Sequence, residues 1–404
     1  MRMGNIFKLY TIEEATECLI DYRGKTPPKT ESGVRLVTAK VVKGGQIHKE
    51  PAEYIAPEYY DEWMRRGLPK KFDVLITTEA PLGEVAILRN NERIALAQRI
   101  ILLRAKTSLL DPQYLFYSLQ SDFCQGELRS RSSGTTVLGI KQSELRKVQL
   151  PLPPLPIQRR IAGILSAYDD LIENNQRRIA ILEAMARSLY REWFVHYRYP
   201  GHEAVPLVDS PLGPIPQGWE VRKLGEVCRL TMGQSPKSEF YNDVGTGVAF
   251  HQGVTDFGSR FPSDRLFCTV DGRSAETGDI LFSVRAPVGR MNIANKKIIL
   301  GRGLSAIRHK NNHQTFLWEQ LRNRFTEDDM IGNGSIFASV TKDEMQGIIL
   351  LCPPINVVQA IEEILIPIHK SIESLSSSII NLRRTRDLLL PRLLSGQIDV
   401  GDVE

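Results

Sequence analysis

FDVLITTEAPLGEVAI, residues 72–87, returns as GDILFSVRAPVGRMNI at residues 278–293. The offset is 206 throughout, so Asp73 falls on Asp279, Ala80-Pro81 on Ala286-Pro287, and Gly83 on Gly289. Further out, AQRIILLR (97–104) falls on GRGLSAIR (301–308) at offset 204. GTTVLGIKQSELRKVQLPLPP (134–154) falls on GSIFASVTKDEMQGIILLCPP (334–354) at offset 200, and YRGKTPP (22–28) resembles TMGQSPK (231–237) at offset 209. Small drifts in offset are short loop insertions in a shared fold, so the chain is an internal repeat. Within each copy, Asp73-Val-Leu-Ile and Asp279-Ile-Leu-Phe predict buried strands. The Ala-Pro-x-Gly that follows each predicts a turn, because Pro fixes φ and Gly tolerates positive φ. Short helices are expected over Pro112–Gln120 and Gln314–Asn323. Each copy therefore reads as a mixed α/β domain.

After each Pro-Pro (153–154 and 353–354) the apolar period changes. Ile161, Leu165, Tyr168, Ile172, Ile179, Leu182, Ala186, Leu189 and Trp193 alternate spacings of four and three, a heptad seam. Ile361, Leu365, Ile368, Ile372, Leu375, Ile379, Leu382, Leu389 and Leu393 continue the same pattern 200 positions later. Asn175 and Arg386 are the polar breaks. Asn175 either fixes register or is solvated at a loose position. Pro367 and Pro391 are expected to kink or interrupt the second helix near Ile366 and near its end. Two helices of matched register predict mutual antiparallel pairing. At 1.5 Å per residue, 35–40 residues reach about 50–60 Å, more than the roughly 34–36 Å of one DNA turn. The fold class expected is α+β. Two similar mixed α/β domains, 1–155 and 199–353, alternate with a central spacer helix, 156–198, and a C-terminal one, 354–404. An antiparallel coiled coil relates them by a pseudo-twofold axis.

The chain has 404 residues, 42% hydrophobic and 25% charged, the composition of a globular protein of two or three domains. No apolar run approaches the length that spans a bilayer, and MRMGNIFKLY followed by the acidic TIEEATE lacks the long apolar stretch expected of a signal peptide. Five cysteines, Cys18, Cys124, Cys228, Cys268 and Cys352, form no C-x-x-C pair, which fits a reducing cytoplasm and excludes the usual zinc spacing. Net charge is +5, and residues 1–155 carry all of it, with 23 Lys and Arg against 18 Asp and Glu. A basic patch for phosphates and plain solvated surface explain that excess equally well.

Catalytic sets are missing. There is no P-loop, no G-x-G-x-x-G after a strand, and no Asn-Pro-Pro-aromatic motif. LPLPPLP (150–156) and LCPPI (351–355) read as rigid joints. Gly245–Gly247 and Gly301–Gly303 read as turns. Asp169-Asp170 and Asp328-Asp329 are adjacent pairs whose side chains diverge. His309 and His313 lack an acidic partner nearby in sequence, so no metal site is expected.

The order domain, heptad helix, domain, heptad helix resembles the specificity subunit of Type I restriction-modification systems. GWEVRKLGEVCRL (218–230), GDILFSVRAPVGR (278–290), PLPPLPIQRRIAGIL (151–165), LYREWFVHYRYP (189–200) and LLLPRLLSGQIDV (388–400) carry the resemblance, which covers nearly the whole chain. The helix entries, Pro-Ile-Gln-Arg-Arg and Ile-Asn-Val-Val-Gln, depart from the family's usual acidic residue before Gln. The resemblance implies a non-catalytic, cofactor-free subunit that reads a bipartite double-stranded DNA target. It implies partnership with two adenine-methyltransferase modification subunits using S-adenosylmethionine, and with restriction/translocase subunits using ATP and Mg.

Reading DNA needs phosphate contacts that position and side chains that discriminate base edges. Loops on a rigid frame are their natural carriers. The Gly/Pro loops nominate Arg23, Lys25, Thr26, Lys40 and Lys43 in the first copy, with Arg131 on a polar loop. The second copy nominates Gln234, Ser235, Lys237, His251, Gln252 and Arg285. Arg285 aligns with Glu79, a difference that suits either two half-sites or surface drift. Trp193, Phe194, Tyr197 and Tyr199 either pack on the neighbouring domain or meet a partner. Rival readings are a protein-binding scaffold, a solitary nuclease or methyltransferase, and an orphan specificity-like subunit.

Overall fold

A computed structural model describes residues 6–22, 26–325 and 339–401. The chain divides into two compact units, residues 1–175 with 377–404, and residues 176–376. The division cuts both long helices, so each unit owns half of each.

The first unit centres on a four-stranded antiparallel sheet in the order Thr16–Asp21, Ile100–Ala105, Val74–Thr78, Leu82–Ile87. Its central strands open with unbroken apolar runs, Val74–Ile76 and Ile100–Leu103, because both faces are covered. Val74, Ile76, Ile101 and Leu103 enter one core, while Leu75, Ile100 and Leu102 enter another. That alternation is the period-two side-chain geometry of a strand. The first core also holds the helix Pro112–Leu119, capped by Asp111, whose carboxylate accepts from the N–H groups of Gln113 and Tyr114. The second core is lined by a three-stranded sheet, Tyr54–Ile55, Val34–Val37 and Ile94–Leu96, with the last pair parallel.

The second unit repeats the plan. Its four-stranded sheet runs Cys228–Met232, Leu304–His309, Ile280–Ser283, Met291–Ile293. Ile280 and Phe282 face one core, Leu281 and Leu304 the other. A parallel pair, Val248–His251 with Ile298–Leu300, occupies the place of Val34–Val37 with Ile94–Leu96. The helix Gln314–Arg324 matches Pro112–Leu119.

Two duplicated polar devices lock the repeat. Asp73, 2% exposed, holds Arg104 through both carboxylate oxygens at 2.8 and 2.7 Å and accepts the Lys70 N–H. Asp279 holds Arg308 at 2.5 Å and accepts the Glu276 N–H. A bidentate, charge-assisted pair satisfies a carboxylate that burial would otherwise penalise. At the turn after each strand, the Thr77 hydroxyl donates to the Pro81 carbonyl and accepts the Glu84 N–H. Ser283 does the same with Pro287 and Arg290. Gly83 and Gly289 sit at φ +85° and +87°, where a side chain is strained.

The long helices run Leu155–Phe194 and Ile355–Leu394, 40 residues each. The second runs through Pro367 and Pro391 without interruption, so of the two outcomes expected there the break does not occur. Both prolines face solvent, where water replaces the missing backbone partner, while Leu365 and Leu393 on either side of the exposed face stay packed. In the first unit the helices run antiparallel. Asp169 pairs with Arg386 at 2.5 Å, and Asn175 donates to the Ser378 hydroxyl at 3.3 Å. Ile161 and Leu165 share a core with Leu393 and Leu394. Asn175 is buried, so the solvated alternative fails. In the second unit Ala186, Tyr190, Trp193 and Phe194 share a core with Val357, Ile361 and Leu365. Tyr199, Trp219 and Phe316 join it, which places the aromatic cluster against the second domain. Every seam residue named above is buried or half-buried.

Asp73→Ala should lower stability by about 3 kcal/mol, because it strands a mostly buried guanidinium. Asp279→Ala should cost less, since Arg308 is 39% exposed against 18% for Arg104. Urea midpoints of the two variants, and of each combined with Arg→Met, check the order and the coupling.

Candidate nucleic-acid interface

In the second unit four loop segments meet through backbone contacts that only glycine permits. A Cβ on Gly233 would lie 2.1 Å from the Gly301 carbonyl oxygen, and one on Gly303 would lie 2.5 Å from that of Gln252. The Gln234 N–H donates to the Leu300 carbonyl, Gly303 N–H to Gln252, and Val284 N–H to Gly303. This platform displays Gln234, Gln252, Arg285 and Arg302 at the surface. The Ser235 hydroxyl accepts the Arg302 N–H at 3.2 Å. Lys237 is exposed, 3.8 Å from Glu239.

The matching place in the first unit is a cleft of about 360 Å³ lined by Glu79, Gln98, Arg99, Ser133 and Lys141, among others. Glu79 pairs with Gly139 as Arg285 pairs with Ser339 in the second unit, both as isolated antiparallel bridges. Arg99 holds φ +95°, a costly backbone for a non-glycine residue, and its guanidinium meets Glu79 at 2.7 Å. By alignment Gln98 stands where Arg302 stands, and Glu79 where Arg285 stands. The two copies thus share a scaffold and present different hydrogen-bonding groups on it.

The remaining nominated residues divide. Thr26, Lys40 and Lys43 are exposed, Lys40 lying 3.7 Å from Glu53. Lys43 starts a tight hairpin, Val42–Lys43 with Gln46–Ile47. Arg23 and Lys25 lie outside the described residues, as do Asp328-Asp329 and residues 334–338 of the third repeated string. Arg131 is half-buried and tied to Glu127 at 3.1 Å and Glu144 at 4.0 Å, a brace for its own loop. His251 is fully buried, its Nε2 3.2 Å from Asp264 and Nδ1 3.8 Å from Asp256. It sits at the end of the parallel strand, so its side chain is not displayed. Gln98 and Arg99 precede a repeated apolar strand and Arg302 lies between Gly301 and Gly303, so nothing local in the sequence singles these side chains out.

Among the described residues no set of three or more His, Cys, Asp or Glu is placed to hold a metal. His313 is bound instead by Glu362 at 2.7 Å, and burial pushes the His309 imidazole down to about 4. Among the described residues no helix is long and apolar enough to cross a membrane.

The family model for the Type I restriction modification DNA specificity domain matches residues 57–184 and again 216–383, once over each copy. The chain belongs to this family. It is 32% identical over 334 residues to a putative type I restriction enzyme MjaX specificity subunit of Methanocaldococcus jannaschii, covering 80% of this chain and 77% of that one. The MjaIX specificity subunit of the same organism is 26% identical over 358 residues, covering 82% and 79%. The crystal structure of a Type I restriction-modification S subunit from M. genitalium shares the fold at TM-score 0.60, with 17% identity and 97% of each chain covered. Specificity subunits are the non-catalytic, DNA-recognising chains of these systems, and two recognition domains alternating with two long helices is the arrangement found here.

Gly233→Ala should destabilise the second unit by about 1–3 kcal/mol, since its Cβ meets fixed backbone rather than a movable side chain. Chemical denaturation reads the loss, and an unchanged midpoint would show the platform is looser than its contacts imply.

Proposed function

We propose that this subunit reads a bipartite duplex, one half-site per domain, and directs methyltransferase and restriction partners to it. The observation that carries the reading is the duplicated platform bearing Gln98 with Glu79 in one copy and Arg302 with Arg285 in the other. Gln suits adenine N6/N7 and Arg suits guanine O6/N7, so a shared scaffold with exchanged side chains is what reading two different half-sites requires. Thr26, Gln234, Ser235, Gln252 and Arg285 are proposed to contact DNA beside them. Arg23, Lys25, Lys40, Lys43 and Lys237 supply positive charge for phosphates, which positions the domain without discriminating sequence.

Chemistry comes from partners. S-adenosylmethionine, ATP and Mg belong to the modification and restriction subunits. Extrusion of the target adenine from the duplex belongs to the methyltransferase. The subunit binds no cofactor and works in the cytoplasm. The paired helices act as the spacer between half-sites, and their outer faces, with the domain junctions, receive two modification subunits.

Arg302→Ala and Gln98→Ala should each weaken binding of the cognate duplex by about 1–3 kcal/mol and relax sequence preference in one half-site only. Adenine-methylation mapping with the assembled enzyme reads both effects. Loss of preference in both half-sites from one variant would sink the assignment of one domain to one half. Complete absence of salt-dependent DNA binding would favour a protein scaffold. A second prediction concerns the spacer. Adding one heptad to both helices should lengthen the gap between half-sites and leave both half-site sequences unchanged. The same mapping checks it, and an unaltered gap removes the ruler.

A further inference from the structure

Arg99 has a costly backbone that the shared frame does not demand. It lies in the turn at 98–99, between the strands Ile94–Leu96 and Ile100–Ala105, at φ +95°. Its carbonyl accepts the Thr78 N–H at 2.9 Å. Gly303 is its counterpart in the second copy, and the Gly303 carbonyl accepts the Val284 N–H at the same 2.9 Å. Gly303 makes that bond from outside the left-handed region, so the bond does not require a strained residue. Any residue with a Cβ loses free energy in that region.

The side chain does not repay that cost through the fold. Arg99 is 51% exposed and Glu79 43%, with the Arg99 Nε 2.7 Å from the Glu79 Oε1. An exposed ion pair stabilises a fold by less than a left-handed arginine costs it. What the pair supplies is orientation. Glu79 is seated by its bridge to Gly139 and by the Ile140 N–H, which donates to the Thr78 carbonyl at 3.0 Å. With Nε turned to that carboxylate, both Nη groups remain at the mouth of the cleft. Among the described residues no other group accepts from them. The second copy has Arg285 for Glu79 and Gly303 for Arg99, so the acid and the guanidinium it holds are exchanged together.

We infer that Arg99 reads a guanine in the first half-site and that Glu79 is its positioning residue. This rests on the proposed reading of one half-site by each domain, and it names a reader within that scheme. Guanine fits because its O6 and N7 place two acceptors on one edge, matching the guanidinium fork. Adenine sets a donor beside N7 on that edge, so two N–H groups cannot both be satisfied there. Gly303 offers no side chain, so the second domain has no equivalent of this reader.

Adenine-methylation mapping with the assembled enzyme gives the target, and binding is then titrated on duplexes with each G·C pair of the first half-site replaced in turn by A·T. Wild type should lose roughly tenfold in affinity at one such pair. Arg99→Gln should lose that preference and keep the second half-site unchanged. Arg99→Gly should lose it equally while melting no lower than wild type, because glycine bears the backbone freely; lower melting would give Arg99 a structural role and overturn the argument. Glu79→Gln should weaken the same preference alone, and the double variant should discriminate no worse than Arg99→Gln, as a positioning role requires. A first half-site without a fixed G·C pair, or an unchanged target in Arg99→Gln, overturns the assignment and leaves the half-site reading standing. Uniform weakening on all duplexes, with a salt slope smaller by about one, overturns it in favour of a phosphate contact. Wild type without sequence preference, or preference lost in both half-sites, sinks the half-site reading itself and the assignment with it.

Discussion

Each compact unit buries a half-helix that belongs, in chain order, to the other repeat. The first unit closes its core with Leu393 and Leu394, more than two hundred residues beyond the strands they cover. The second closes with Ala186, Tyr190 and Phe194, which precede its own domain. Neither recognition domain can complete its apolar core from its own stretch of sequence. Folding of either therefore requires both helices to be in place, with their registers matched. The polar seam makes that matching specific. Asp169 accepts from Tyr117 at 2.6 Å and pairs with Arg386, so a slip of one turn would strand a buried carboxylate. Asn175 with Ser378 adds a second check of the same kind. At the helix entry, Gln158 reaches back to the Leu109 and Pro153 carbonyls and accepts the Asp111 N–H, anchoring helix to domain. Within each unit, the packing of the helix pair is also the packing of the domain.

Duplication then divides labour between what must stay and what is free to change. Asp73 with Arg104 and Asp279 with Arg308 are retained because an exchange at one partner alone leaves a charge without its counter-ion. Thr77 and Ser283 are retained in kind because a hydroxyl must both donate and accept within a turn. The displayed positions face no such demand. Glu79 against Arg285 and Gln98 against Arg302 differ in charge, yet the backbone beneath them is held by the same strand ends. Side chains can be exchanged there without refolding, as the recognition role proposed for these loops requires.

Much of this was legible in the sequence. The repeated strands, the turns after them, the short helices and the two long helices all follow from apolar period and glycine or proline placement. The failures are equally physical. Pro367 and Pro391 predict a kink or a break from local geometry alone, and the break does not occur because their rings face water while Leu365 and Leu393 stay packed. His251 sits two residues before Gly253 in a loop-like string, yet the strand register turns it inward between Asp256 and Asp264. Gln98 and Arg302 left no signal, because what distinguishes them is the convergence of loops far apart in sequence. Long-range proximity of that kind is set by the sheet order, which periodicity within one strand cannot report.

The unequal fate of one position shows how such a frame acquires new chemistry. Glu84 is useful only because the Gly44 N–H comes to meet it, and that approach depends on a hairpin with two glycines at positive φ. Where the second copy lacks that hairpin, a carboxylate at the same place would face Glu183 across open space, with like charges repelling. Arginine at 290 removes the repulsion and joins Arg187 and Arg322 round the vacated volume. Burial draws the Arg260 pKa down, and the surrounding Glu183, Glu319 and Glu373 oppose it while His369 meets one of its nitrogens, so that buried charge is held by its own domain and the helices packed on it.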